Sequence, residues 1–346
     1  MAYHEPVMLA EVREAMQPRS GGVYVDATLG HGGHTAMLLE ASAPNGRVIG
    51  IERDVRNLDT AKKRIGSDVR VTFVHGDYRN LSKILDELNI ESIDGILLDV
   101  GFSSAHVDDA SRGFSFQQEG PLDMRYDQSQ PLTAATIVNT WPEDELTRIF
   151  LVYGEEPKAR HITRAILERR ATQPFATTTD LANVVAAALG RRGKLHPATR
   201  AFQALRIVVN GELDALEAVL PQAAASLKPG GRLCVITFHS LEDRIVKRFL
   251  RAQTELSPLT KRPVVPTATE AVQNPRARSA KLRAAQKQNT NDPYARSLVH
   301  GAHATSGTRS RIGSRVEHRV LRGDALVRCR LRASDVFRNH AGLRHA

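Results

Sequence analysis

A chain of 346 residues with 25% charged and 41% hydrophobic side chains is expected to be mostly globular, as one large domain or two ordinary ones. No apolar run reaches the ~20 residues that cross a bilayer, and the start MAYHEPVMLAEV lacks a signal-peptide profile, so no membrane partner and a cytoplasmic location are expected. Cys234 and Cys329 stand far apart with no metal-like spacing, which reads as two ordinary thiols of a reducing compartment. The formal net charge is +10, but residues 289 to 346 hold eleven Arg, no Lys and four acids. The body before them is close to neutral, so the C-terminal segment is what makes the chain basic.

The first hundred residues alternate strand-like and helix-like segments. GGVYVDATL reads as a strand, the glycine cluster GHGGH follows, and a helix begins near His34. GRVIGIERD (46–54), VRVTFVHGD (69–77) and IDGILLDVG (93–101) read as further strands, with helices over 58–65 and 81–88 between them. Continuous apolar strands alternating with helices predict a parallel sheet covered on both faces. The strand C-termini of such a sheet share one edge, where ligands bind.

After Ser104 the rhythm breaks. RGFSFQQEGPLDMRYDQSQP (112–131) reads as a long ordered loop. Leu146, Ile149, Phe150 and Tyr153 follow helical spacing behind Pro142, and Ile162, Ala165, Ile166 and Arg169 suggest a second helix. TTTDLANVVAAAL (177–189) carries a cap-like Thr177 and Asp180, and 196–220 reads as helical throughout. The sheet pattern resumes at GGRLCVITFHS (230–240), followed by the helical LEDRIVKRFL. From Thr254 the periodicity fades. NPRARSAKLRAA (274–285) is a compact basic segment, and the Arg-rich 289–346 is expected to be a disordered tail. The expected organisation is a first sheet part over 1–107, an inserted loop and helical subdomain over 108–210, a second sheet part over 211–288, and the tail.

The chemistry collects at the strand ends. The glycine loop lacks the third glycine of the dinucleotide fingerprint, since Thr35 stands in its place. The second strand ends in Glu52-Arg53-Asp54, where an acid can accept from ribose hydroxyls or cap the next helix, the latter suiting Asp54 better than Glu52. The third ends at Gly76-Asp77-Tyr78, where Tyr78 can lie on an adenine face, and the fourth ends at Asp99. NAD and S-adenosylmethionine both satisfy the glycine loop and the ribose acid, although no hydride-transfer constellation accompanies them. His196 and His239 have no second metal ligand at helical spacing, so no metal is expected; His239 and Glu242 read as stabilisers of the turn after the fifth strand.

DATLGHGGHT, LLDVGFSSAHVDDASRGFSF, GPLDMRYD, HPATRAFQALRIVVN, GGRLCVITFHSLEDRIVKRF and NPRARSAKLR, in this order over roughly residues 3–288, resemble the ribosomal RNA small subunit methyltransferase H (MraW) family. HSLEDR and RGFSF…GPLDMR are specific to that family. The resemblance implies an α/β fold with a Rossmann-like class I S-adenosylmethionine-dependent methyltransferase sheet and an inserted helical subdomain. It implies methylation of the N4 amino group of a cytidine in the decoding region of 16S rRNA, within the small ribosomal subunit. Carried over one by one, the cofactor positions are Gly32, Gly33, His34, Glu52 (Asp is usual), Tyr78 (Phe is usual), Asp99 and His106 (Gln is common).

The fourth strand ends DVGF, so the (D/N)-P-P-(Y/F) signature of amino-group methyltransferases is absent. Asp99 is the nearest candidate for the catalytic acceptor, and the base itself stays unassigned. Asp123 and Arg125 either shape a base pocket or brace their loop. Arg160, Arg164, Arg200, Arg206, Arg276 and Arg278 are candidates for RNA phosphate contacts. Monomer and homodimer are both compatible with the sequence.

Overall fold

A computed structural model describes residues 6–190 and 196–289. From residue 290 onward, the expected tail and Cys329 lie outside the described residues. Seven strands form one sheet: β1 (Val23–Asp26), β2 (Arg47–Glu52), β3 (Val71–His75), β4 (Ile93–Asp99), β5 (Leu227–Thr237), β6 (Leu256–Pro258) and β7 (Lys281–Lys287). Their order is β3-β2-β1-β4-β5-β7-β6. The first five pair in parallel, and β7 runs antiparallel to both β5 and β6. This order is that of the Rossmann-like sheet expected from the sequence.

Apolar side chains leave the sheet in both directions and meet helices on each side. One layer buries Val25, Ile49, Ile96 and Val235 with Leu216, Val219 and Val246 of helices Glu212–Ser226 and Ser240–Ala252. The other buries Tyr24, Val48, Leu97 and Cys234 with Val12, Met16 and Leu38 of helices Leu9–Met16 and Gly33–Ala41. Two covered faces explain why β1 is buried at every position and β4 at all but its last. The parallel register then brings Asp26, Glu52, Asp99 and Thr237 to one edge.

Between β4 and β5 the described residues are helical or irregular. Helices Glu143–Val152, Ala159–Thr172 and Thr178–Leu189 pack in succession. Pro142, with its φ of −69°, stands immediately before the first, and the Thr177 hydroxyl accepts from the Asp180 amide at 3.3 Å to start the third.

Two expectations need correction. The helical run over 196–220 is two helices, Thr199–Asn210 and Glu212–Ser226, because Gly211 turns the chain at φ 59°. The stretch after Thr254 is less irregular than its sequence suggests. It supplies β6, helix Ala268–Gln273 and β7, the last held along its length by β5.

Candidate active site

The strand edge opens into a cleft of about 600 Å³. Gly33, His34, Glu52, Tyr78, Asp99 and His106 line it, together with Gly30, Phe102, Tyr126, Arg206, Glu212 and His239. Gly32 stands one layer back. It takes φ 77°, and a Cβ there would come within 2.9 Å of the Ile65 side chain, so it is the turn that lets the loop pack on helix Val55–Ile65.

Glu52 holds the glycine loop from below. Its Oε2 accepts from the Gly30 amide and its Oε1 from the Asp54 amide, both at 2.8 Å. Burial pushes this carboxyl up to about 7 against the pull of those two amides. Asp99 is anchored through its backbone, its amide donating to the Thr28 hydroxyl at 2.7 Å. Its Oδ1 has no hydrogen-bond partner, while Oδ2 lies 3.8 Å from Nδ1 of His34. Burial, then the carboxylates of Asp26 and Glu242, push Asp99 up to about 8.

His34 is buried, and burial holds its pKa below the ordinary value. Its Nε2 lies 3.0 Å from the Val7 carbonyl, so the neutral ring carries its hydrogen there and leaves Nδ1 bare toward Asp99. His106 is spent on the scaffold. Its Nδ1 accepts from the Ser103 amide at 3.2 Å, and its Nε2 donates to Asp54 at 2.9 Å. Arg112 meets the same Asp54 oxygen and donates to the carbonyls of Arg125 and Tyr126. This buried knot fastens the long loop over 112–131 to the end of β2. The His106 ring presents a stacked face, 4.8 Å from Phe114 and 5.0 Å from Tyr126, rather than a free nitrogen.

Asp123 and Arg125 pair with each other, and Arg125 also donates to the carbonyls of Gln128 and Gln130. They brace the loop and do not line the cleft. Arg206 corrects the list of phosphate contacts: it is buried and donates twice to Glu212, at 2.9 and 3.0 Å. Arg160, Arg164 and Arg278 are exposed, Arg200 pairs with Glu156, and Arg276 pairs with Asp108.

The model of the MraW methylase family matches residues 1–288. The chain belongs to the MraW methylase family. The protein named Ribosomal RNA small subunit methyltransferase H from Thermomicrobium roseum is 48% identical over 307 residues, covering 82% of this chain and 93% of that protein. Its namesake from Sorangium cellulosum is 50% identical over 287 residues, covering 82% and 90%.

The cofactor of this MraW methylase is S-adenosylmethionine, and its cleft fits that molecule. An orphaned, buried carboxyl oxygen on Asp99 calls for a donor, and Glu52 and Tyr78 line the same cleft at or just past neighbouring strand ends. The methylase also places residues in the cleft that its sequence did not single out as cofactor or catalytic positions. Glu212 accepts from the Tyr126 hydroxyl at 2.8 Å as well as from Arg206. It was hidden inside a run read as one helix. Glu212, His239 and Glu242 bring one potential ligand atom each within 4.8 Å of one another, but both Glu212 oxygens already serve Arg206 and Tyr126. Glu242 Oε2 accepts from the amides of Phe238 and His239, which ties the turn after β5. The HSLEDR run was read in that way.

Proposed function

We propose that this methylase transfers a methyl group from S-adenosylmethionine to the N4 amino group of a cytidine in the decoding region of 16S rRNA. The observation that carries the reading is the identity of 48–50% to proteins named for small-subunit ribosomal RNA, spread over about nine-tenths of their length. The family-specific HSLEDR and GPLDMR runs, both at or beside the cleft, support the finer assignment to cytidine N4.

In this reading Glu52 accepts from the cofactor's ribose, Tyr78 covers its adenine, and Gly33 and His34 bound its amino-acid end, with Gly32 shaping the loop behind them. His106 acts by holding the wall between Asp54 and Phe114. The bound cofactor supplies an already activated methyl group. The protein's share is to orient the amine, exclude water and accept a hydrogen, because the N4 lone pair is delocalised into the ring. Asp99, whose Oδ1 is unpaired and whose Oδ2 lies 3.8 Å from Nδ1 of neutral His34, is the acceptor we assign. The inserted loop and helices over 108–210 are assigned as the substrate-recognition subdomain, and the exposed Arg160 and Arg164 on its helices suit a phosphate backbone.

The test is methyl transfer to small ribosomal subunits from cells lacking this activity, followed by mass mapping of the product. A single N4-methylated cytidine is the expected result. A label on another nucleotide, or on a ring carbon of cytidine, sinks the assignment.

A further inference from the structure

We infer that Phe102 is the stacking platform for the target pyrimidine, a nucleobase subsite beside Asp99; the inference rests on the methyl-transfer reading above. Phe102 is 43% exposed. Among the described residues it is the one aromatic side chain of the exposed large hydrophobics, and the only one of that set that lines the cleft. Its exposure is built by the backbone. The Val100 amide still donates to Ile236 at 3.0 Å, so pairing with β5 persists to the residue before Gly101. Gly101 then takes φ 128°, a conformation closed to most residues, and turns Phe102 away from the sheet.

The ring is backed by a fixed cation. The Arg206 guanidinium carbon lies 4.4 Å from the Phe102 centroid, and Arg206 is itself clamped by both oxygens of Glu212. Phe114 lies 6.3 Å away at 24°, and its own neighbours are His106 and Tyr126. Phe102 is therefore a braced aromatic surface with open area, reached by one turn of backbone from the acceptor carboxyl. A ring without polar atoms reads no base edge, yet every base has a π-face that can stack on it. A base drawn out of its RNA needs such a surface to replace the stacking it leaves behind. Tyr78, just past β3, lines the same cleft as the adenine wall of that reading.

The experiment compares Phe102→Ala, Phe102→Leu and Phe102→Tyr with the parent in methyl transfer to small subunits, with cofactor affinity and melting temperature measured in parallel. Phe102→Ala is expected to lower kcat/KM by about 10- to 100-fold, the range that one base–aromatic stack supports. Cofactor affinity should stay unchanged. Phe102→Tyr should recover most of the rate, whereas Phe102→Leu should not, because it restores apolar bulk without a π-face. Full recovery by Leu would reduce Phe102 to packing and overturn the inference, as would a loss of cofactor affinity in the Ala variant. A second readout does not depend on transfer. Pyrrolocytosine at the target position of an rRNA fragment should be quenched on binding the parent and the Tyr variant, and not the Ala variant. Quenching that ignores residue 102 also overturns the inference. If the parent transfers no methyl group while quenching still depends on Phe102, the assignment of the reaction falls and the subsite stands.

Discussion

β4 carries an aspartate near each end, and the two have opposite surroundings. Asp94, at the end away from the cleft, accepts from Arg19 and Lys228, both at 2.7 Å, and from the Val23 amide at 2.9 Å. Burial pulls its pKa upward, but Lys228, Val23 and Arg19 outweigh that pull and hold it below the ordinary value. Asp99, at the cleft end, has an unpaired oxygen and is pushed up to about 8. One strand thus holds an acid whose charge is fully answered and one whose charge is left for something else to answer. A buried polar group without a partner costs free energy. Tolerating it at the ligand edge is what a site ready for a donor requires.

The largest expected effect comes from removing the unanswered acid. Asp99→Ala should reduce methyl transfer by at least about 100-fold, the scale of losing a general base or a developing-charge contact. The protein should stay folded. Near-normal transfer would take Asp99 out of the chemistry. Asp94→Ala should do the reverse, costing about 1–3 kcal/mol of stability because a buried amide and two cations lose their partner. Activity per folded molecule should be untouched, and denaturant melts alongside transfer assays separate the two outcomes.

The same contrast predicts opposite pH responses. For Asp99 the folded pKa lies above the ordinary value, so its contribution is present at acid pH and is lost as pH rises through about 8. Glu52 behaves likewise through about 7. For Asp94 the folded pKa is depressed, so its contribution is present at neutral pH and is lost as pH falls through its folded pKa. Asp99→Asn should therefore stabilise the cofactor-free protein at alkaline pH, by on the order of 2 kcal/mol once the open face of the carboxyl is allowed for. It should leave the acid limb unchanged. Melting temperatures of the cofactor-free protein across pH, with and without the substitution, test this; a uniform shift at all pH values would refute it.

The sheet was legible because burial on two faces writes itself as apolar runs, which β1, β2, β4 and the second half of β5 carry; β3, at the sheet edge, shows a mixed pattern instead. β7 was not legible. KLRAAQK is rich in residues that suit helices, and it is a strand because β5 offers it an edge to pair with. That Glu52, Tyr78 and Asp99 come together at one cleft was legible, because Glu52 and Asp99 end recognisable strands and Tyr78 follows closely on a third. Glu212 was not, since its approach to the cleft depends on the turn at Gly211 and on Arg206 folding back toward it. His106 lines the same cleft, but its hydrogen bonds to Asp54 and Ser103 link residues whose proximity no local pattern announces.

The smallest expected effect is that of deleting residues 289 to 346. The family match ends at residue 288, and the compact unit ends at Lys287. β7 is complete there, and Lys287 donates to the carbonyls of Ala224 and Ala225 at 2.9 and 3.1 Å, which closes that edge of the fold. Among the described residues, every one that lines the cleft precedes the cut. Cofactor affinity and melting temperature should therefore match the full chain. The eleven arginines removed are expected to contribute a salt-dependent attraction to RNA. Affinity for small subunits measured at low and high salt isolates that term: a difference confined to low salt marks an electrostatic arm, and loss of cofactor binding on deletion would mean that the tail helps to build the site.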